Sequence, residues 1–294
     1  MTVAAFLWGL GAVQAAFVAL DLVDRHRTRA ERYAGERVSP GSAFFFLAIA
    51  AGYTLLQGAL AALAPSAERV TTTLRAALGG TSPDAESSGL ALVLSAVAVF
   101  YVAGFWDYAW HRWFSHHSWF WFTHEYHHLP NQVFAGMPGI VARPFGVLTT
   151  IPVLAGTVAT THAACRLFGL PFWNRELFAI PFFAAVVLLT ASHSSFLRRG
   201  LLAHRVLRRL ALTTPHEHLL HHTVDLEGNY GNFTTLWDRV FGTYLDPLRP
   251  EHQGRRLGLA YDRDFLGAVT LGALRIPRAW RRRFRLSRYC NVDE

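Results

Sequence analysis

Lysine is absent from this chain, cysteine occurs twice, and charged residues make up only 16% of its 294 positions. Each shortage excludes something. Cys165 and Cys290 are too few for a disulfide framework, an iron–sulfur cluster or a cysteine-based zinc site. Any bound metal must therefore be held by other side chains. With 52% hydrophobic residues against so little charge, the chain is too apolar for an ordinary soluble domain. The formal charge of +8, carried on arginine alone, could suggest nucleic acid. Long uncharged runs between the arginines argue for a lipid bilayer instead, so no nucleic-acid partner is expected. The all-arginine usage reads as a compositional bias of the genome, not as chemistry.

Those uncharged runs set the expected architecture: an all-α integral membrane protein with about five transmembrane helices. Crossing the hydrocarbon core takes about 20 apolar residues. Candidate spans are Met1–Leu20, Ser42–Ala67, Ser87–Trp106, Pro144–Cys165 and Leu177–Leu197. The first has no basic residue before it and no clean cleavage site after it, and reads as a retained span, not a signal peptide. Residues 166–176 are short enough to join the last two spans as a hairpin. Arg198–Leu212 mixes arginines and leucines at helical spacing, which suits a helix lying in the interface. The first loop and the C-terminal region are rich in arginine, whereas 68–86 carries only Arg69 and Arg75. By the positive-inside rule the N-terminus and 68–86 then face outward, and everything after the fifth span faces the cytoplasm. The chain divides into an N-terminal hairpin with its loops (1–86), a catalytic unit (87–248) and an arginine-rich cytoplasmic tail (249–294).

Against this background histidine is concentrated. The stretch HRWFSHHSWFWFTHEYHH at 111–128 holds six, and HEHLLHH at 216–222 holds four. Chance would place about one histidine in those two windows, so the clustering is a compositional signal of metal binding. His124, His127 and His128 stand at i, i+3 and i+4, and so do His218, His221 and His222. On a helix such residues share a face and their imidazoles can converge on one point. His193, near the end of the fifth span, lies at the same expected depth as His111, just past the end of the third. The candidate ligands are His111, His116, His124, His127, His128, His193, His218, His221 and His222. Nine imidazoles exceed what one ion takes and suit two. A nitrogen-rich pair of redox-active metals at a membrane boundary points to oxygen activation. Iron with O₂ supplies an oxidant for unactivated C–H bonds that side chains cannot. A lipid would reach the site from the bilayer past Trp110, Trp113, Phe114, Trp119, Phe120, Trp121 and Phe122, residues that serve equally well as an interfacial aromatic belt.

HRWFSH, HEYHH and HLLHH resemble the three histidine boxes of the fatty acid hydroxylase/sterol desaturase superfamily of membrane di-iron enzymes. SHSSF at 192–196 is similar to a further family segment that places His193 in a ligand position. TPHEHLLHHT at 214–223 and NYGNFTTLWDRVFGTY at 229–244 resemble its third box and closing signature. The resemblance covers roughly 105–245. It implies two iron ions, with zinc replacing them in overproduced protein because imidazole sites favour zinc over Fe²⁺. It also implies O₂ as co-substrate, a membrane lipid substrate, and hydroxylation or desaturation of a C–H bond. The chain carries no haem-binding domain, flavin motif or cysteine cluster, so a separate electron donor, a ferredoxin or reductase system, is implied. The sequence departs from the family pattern at three places. Ser115 stands where HRxxH would have its second histidine, leaving His116 and His117 as rivals. Ser195 replaces an asparagine after His193. Arg143-Pro144-Phe145 occupies a segment where a histidine is common.

Asp107 and Asp238 are candidates to accept hydrogen bonds from ligand N–H groups, and His117 and His216 are candidates for supporting places beside the ligands. His162, His204 and His252 read as isolated. Two other readings remain. HEYHH at 124–128 satisfies HExxH, the pattern of a membrane zinc metalloprotease with Glu125 as general base. That reading needs one further ligand and leaves most of the nine histidines idle. A bis-histidine haem or metal carrier would place paired histidines deep in facing spans, whereas these crowd at span ends.

Overall fold

The computed structural model describes residues 3–27, 89–130, 133–137, 139, 140, 143, 145–168 and 175–283. Among them there is no β-strand, only two isolated bridges, Leu212 with Thr234 and Thr223 with Leu257. Four long helices carry the architecture: α1 (Val3–Arg27), α2 (Gly89–Trp110), α4 (Gly146–Phe168) and α5 (Arg175–Ser192). Short helices fill the space at one end: α3 (Glu125–His128), α6 (Leu201–Leu207), α7 (Pro215–His221), α8 (Leu236–Val240), α9 (Phe265–Val269) and α10 (Arg278–Arg283). The four long helices coincide with the first, third, fourth and fifth apolar runs. The second run, 42–67, lies outside the described residues.

Among the described residues, one helix, Gly89–Ser115, is both long and apolar enough to cross a membrane, with shorter apolar helical stretches at Gly11–Val23 and Ile180–Ser192. Five crossings therefore remain an expectation. The apolar surface of these helices is nevertheless bare. Leu90 is 70% exposed, Leu167 78% and Phe168 71%, an arrangement that water disfavours and lipid does not.

α2 is the axis of the packing. Gly156 on α4 admits the Trp106 ring, which a Cβ there would overlap, and Trp106 Nε1 donates to Thr160 Oγ1 at 2.9 Å. Phe100 packs with Ala185 of α5 and Phe233, and Trp237 Nε1 of α8 donates to the Tyr101 carbonyl at 2.8 Å. The helix then widens instead of ending. Residues His111–Ser115 form a π-helical turn closed by His116 N donating to His111 O at 3.0 Å.

The expected interfacial segment is a helix with a break at each end: a 3₁₀ turn (Leu197–Arg199), α6, and a second 3₁₀ turn (Arg208–Leu210). Leu202 is 75% exposed among its arginines while His204 is buried. The described part of the arginine-rich C-terminal region packs against the histidine end. Leu259, Phe265 and Ala268 form a core cluster with Tyr126 and Leu129, and Leu257 packs with Val133, Met137 and Leu219.

Candidate metal centre

The nine expected imidazoles come together, and they do so as two groups. His111, His116, His124, His128 and His221 form one, His127, His193, His218 and His222 the other, each with its ligand-type nitrogens within 4.8 Å of one another. The two HxxHH triplets do not each converge on one point, as helical spacing alone suggested. His124 and His128 join the first group while His127 joins the second, and in α7 His218 and His222 join the second while His221 joins the first. Residues i and i+4 are about 40° apart around a helix, whereas i+3 lies about 60° to the other side of i. Each helix therefore lends an i, i+4 pair to one group and its i+3 residue to the other.

Local structure explains each placement. On an α-helix His111 and His116 would diverge by about 140°; the π turn brings residue i+5 back over residue i, the usual reason such turns occur at functional sites. α7 starts on a capping box, with the Glu217 side chain accepting from Thr214 N at 3.2 Å and Pro215 as the first helical residue. The helix frame that carries three of the imidazoles is thereby fixed. Gly139 adopts φ +92°, and any Cβ there would overlap the His127 ring, so the loop after the second box lies directly against a ligand candidate.

Three rings are oriented by backbone carbonyls. Nδ1–H donates from His111 to Tyr230 O (2.5 Å), from His221 to Gly228 O (3.1 Å) and from His193 to Leu189 O (2.7 Å). Each such bond fixes the tautomer and leaves the Nε2 lone pair directed inward. The pairs His111–His124, His218–His222 and His127–His193 bring Nε2 atoms to 2.8, 3.1 and 3.3 Å. Metal–nitrogen bonds of about 2.1 Å meeting at about 90° would separate two ligand atoms by about 3 Å. Nε2 of His116, His128 and His221 is buried without any hydrogen-bond partner. Polar atoms are rarely left so unless a ligand claims them. Burial first, and then the neighbouring imidazoles, hold His128, His218 and His222 well below the ordinary histidine range; burial takes His221 down to about 4. All four are neutral at pH 7, the form that binds metal. On orphaned nitrogens, spacing and protonation alike, the donor set fits a pair of imidazole-seeking ions such as iron or zinc.

The remaining candidates fall elsewhere. His117 is exposed beside Trp119, its Nδ1 3.5 Å from Trp119 N, and lies outside both groups, so His116 joins His111 as the second histidine of the first box within the group. Asp107 and Asp238 do not accept from ligand N–H groups. Asp107 takes Asn232 N (3.1 Å) and Nδ2 (2.9 Å), and Asp238 takes Tyr230 N (2.7 Å), Gly231 N (2.9 Å) and Thr243 Oγ1 (2.8 Å). The two carboxylates clamp the loop whose Tyr230 carbonyl orients His111. Acids of this kind were expected to touch imidazoles because carboxylates often do; here carbonyls already occupy that place. His216 packs against His204, ring centroids 4.7 Å apart, outside both groups. His204 is not isolated: it is buried, with Nδ1 2.8 Å from Thr214 Oγ1 and 3.4 Å from the Glu217 carboxylate.

Glu125 belongs to neither group. It is buried, and its Oε1 accepts from Arg263 Nε at 2.8 Å and Tyr261 Oη at 2.7 Å. Nothing in the sequence pointed to Arg263, 138 residues away. Arg263 and Tyr261 hold this carboxylate outside both imidazole groups, whereas the zinc-protease reading needs it free beside the metal.

Two adjacent sets of buried, oriented imidazoles at the end of a helical, partly lipid-compatible fold define a histidine-box protein able to hold metal. The family model for fatty acid hydroxylases matches residues 96–243, which include all nine imidazoles. The chain belongs to the fatty acid hydroxylase family, whose members are membrane-associated and typically iron-dependent. No curated protein and no solved structure matches it.

Proposed function

We propose that the protein is a membrane-bound di-iron oxidoreductase that uses O₂ to hydroxylate or desaturate a C–H bond of a lipid. The observation that carries this reading is the pairing of two all-imidazole groups, five residues and four, side by side. His111, His116, His124, His128 and His221 would hold one ion, and His127, His193, His218 and His222 the other. Iron so held would supply the oxidising chemistry: with O₂, two electrons and two protons, one C–H bond becomes C–OH with one water, or two adjacent C–H bonds become an alkene with two waters.

The chain's own residues hold that chemistry in place. Carbonyls of Tyr230, Gly228 and Leu189 keep three imidazoles in the tautomer that presents Nε2. The buried surroundings of His218 and His222 exclude water. Beside the first group, Trp110 and Phe114 stack at 4.2 Å, and Trp113, Phe114, Trp119 and Phe120 are exposed. This apolar lip suits an acyl or sterol-like chain arriving from a bilayer. Electrons must come from a separate donor, a ferredoxin or reductase system. On this reading 87–248 is the catalytic unit, the long helices span a bacterial inner membrane, and the site lies on its cytoplasmic side. Purified iron-loaded protein given O₂, a reducing system and host lipid extract should consume O₂ and yield a lipid product heavier by one oxygen or lighter by two hydrogens. Peptide cleavage by zinc-loaded protein, with no lipid product, would overturn the proposal.

A further inference from the structure

Asp21 sits in α1, a helix far from the histidine boxes in sequence and outside the stretch that matches the family. It is only 6% exposed. Burying a carboxylate among apolar helices is costly unless hydrogen bonds replace its water. Among the described residues, the donors that do so come from segments beside one imidazole group. Oδ1 accepts from Ser194 Oγ at 2.6 Å and from Phe196 N at 3.0 Å; Oδ2 accepts from Ala135 N at 2.8 Å.

We propose that Asp21 is a positioning residue for the four-histidine group, tying the segment behind His193 and the loop behind His127 to one carboxylate. Ser194 directly follows His193, and both are fully buried. From Ala135 the chain runs through tight turns, Met137 N to Phe134 O at 3.1 Å and Ile140 N to Met137 O at 3.1 Å, into Gly139 against the His127 ring. Arg143 Nε donates to the Gly139 carbonyl at 2.7 Å and closes the far side of that loop. Among the described residues, Asp21 hydrogen-bonds only to Ala135, Ser194 and Phe196, and none of these belongs to the five-histidine group. Hydrogen bonds to such supporting groups usually change metal affinity 10–100-fold. The effect should therefore be confined to one of two ions.

This inference rests on the proposed reading that each group holds one metal ion. The test uses full-length protein in detergent, stripped and titrated with Co²⁺, with ions counted by mass spectrometry and release to a chelator followed by the visible absorption of the bound cobalt. In Asp21→Asn the side-chain oxygen still serves Ser194 and Phe196, but an NH₂ group faces Ala135 N. One ion should be held as in the parent protein and the other released about 10–100-fold more readily. Ser194→Ala removes one of the three contacts and should weaken the same ion to a smaller degree. Two ions released from both variants at the parent rate would overturn the proposal, as would equal weakening of both ions. Should Asp21→Asn not fold, Ser194→Ala decides by the same outcomes. A parent protein that binds fewer than two ions refutes the underlying di-metal reading instead.

Discussion

His128 and His222 stack face to face, ring centroids 4.5 Å apart and 28° from parallel, although one belongs to the five-histidine group and the other to the four-histidine group. His128 ends α3 and His222 caps the C-terminus of α7, and the two form the seam between the groups. His124 and His127 make a second such contact at 4.8 Å. The two groups thus share a wall of imidazole rings.

The choice within the first box has a direct consequence. His116→Ala should lose one ion and nearly all activity, because it removes a buried, orphaned nitrogen from the five-histidine group. His117→Ala, at an exposed position outside both groups, should keep both ions and parent activity. Metal content and lipid turnover of the two purified variants check this, and a reversed pattern would restore His117 as the ligand.

Glu125→Gln separates the oxygenase from the protease. The substitution breaks the ion pair with Arg263, 24% exposed on its side chain, and should destabilise the fold by about 1–3 kcal/mol. Folded protein should retain both metals and substantial lipid oxidation. A general base would instead cost at least about 10²–10⁴-fold in rate. Thermal melts alongside turnover of metal-replete protein separate the two; full loss of activity with both metals bound and no drop in melting temperature contradicts the assignment.

Acid should unfold the metal-stripped protein. Burial lowers the folded value of His221 to about 4 from 6.5, and burial with the neighbouring imidazoles also holds His128, His218 and His222 well below the ordinary histidine range. The unfolded chain therefore takes up protons at a higher pH than the folded one. Stability should be full above about pH 6.5 and fall as the pH drops towards 4, a window set by the unperturbed histidine value and that of His221. Chelator-treated protein melted across that range measures it; a flat profile would mean the imidazoles titrate normally.

What could be read in the sequence, and what could not, follows from range. The nine imidazoles and the long helices at 89–110, 146–168 and 175–192 were legible because clustering and apolar run length are local properties. The division of each HxxHH triplet between two groups was not, since it depends on how α3 and α7 face each other. Asp107 and Asp238 are legible as candidates near the site but not in their partners, which are mostly backbone amides of a loop and carry no side-chain signal. Asp21 and Arg263 were invisible for a related reason. Each hydrogen-bonds to residues more than 110 positions away, a pairing that no local pattern signals.

Orientation remains to be measured. The arginine asymmetry predicts residues 68–86 outside and the C-terminal region inside. In sealed cells an impermeant thiol reagent should reach a cysteine placed at Ser82, and should not reach one added at the C-terminus. Labelling of the C-terminal site from outside reverses the topology.

The most direct test of the account is the metal content of the parent protein and of His128→Ala and His222→Ala, purified under iron-replete conditions. The parent should carry two ions per chain, iron in the active form, with each variant losing metal and lipid oxidation together. A fully active parent preparation with a single metal ion per chain would contradict the two-centre account.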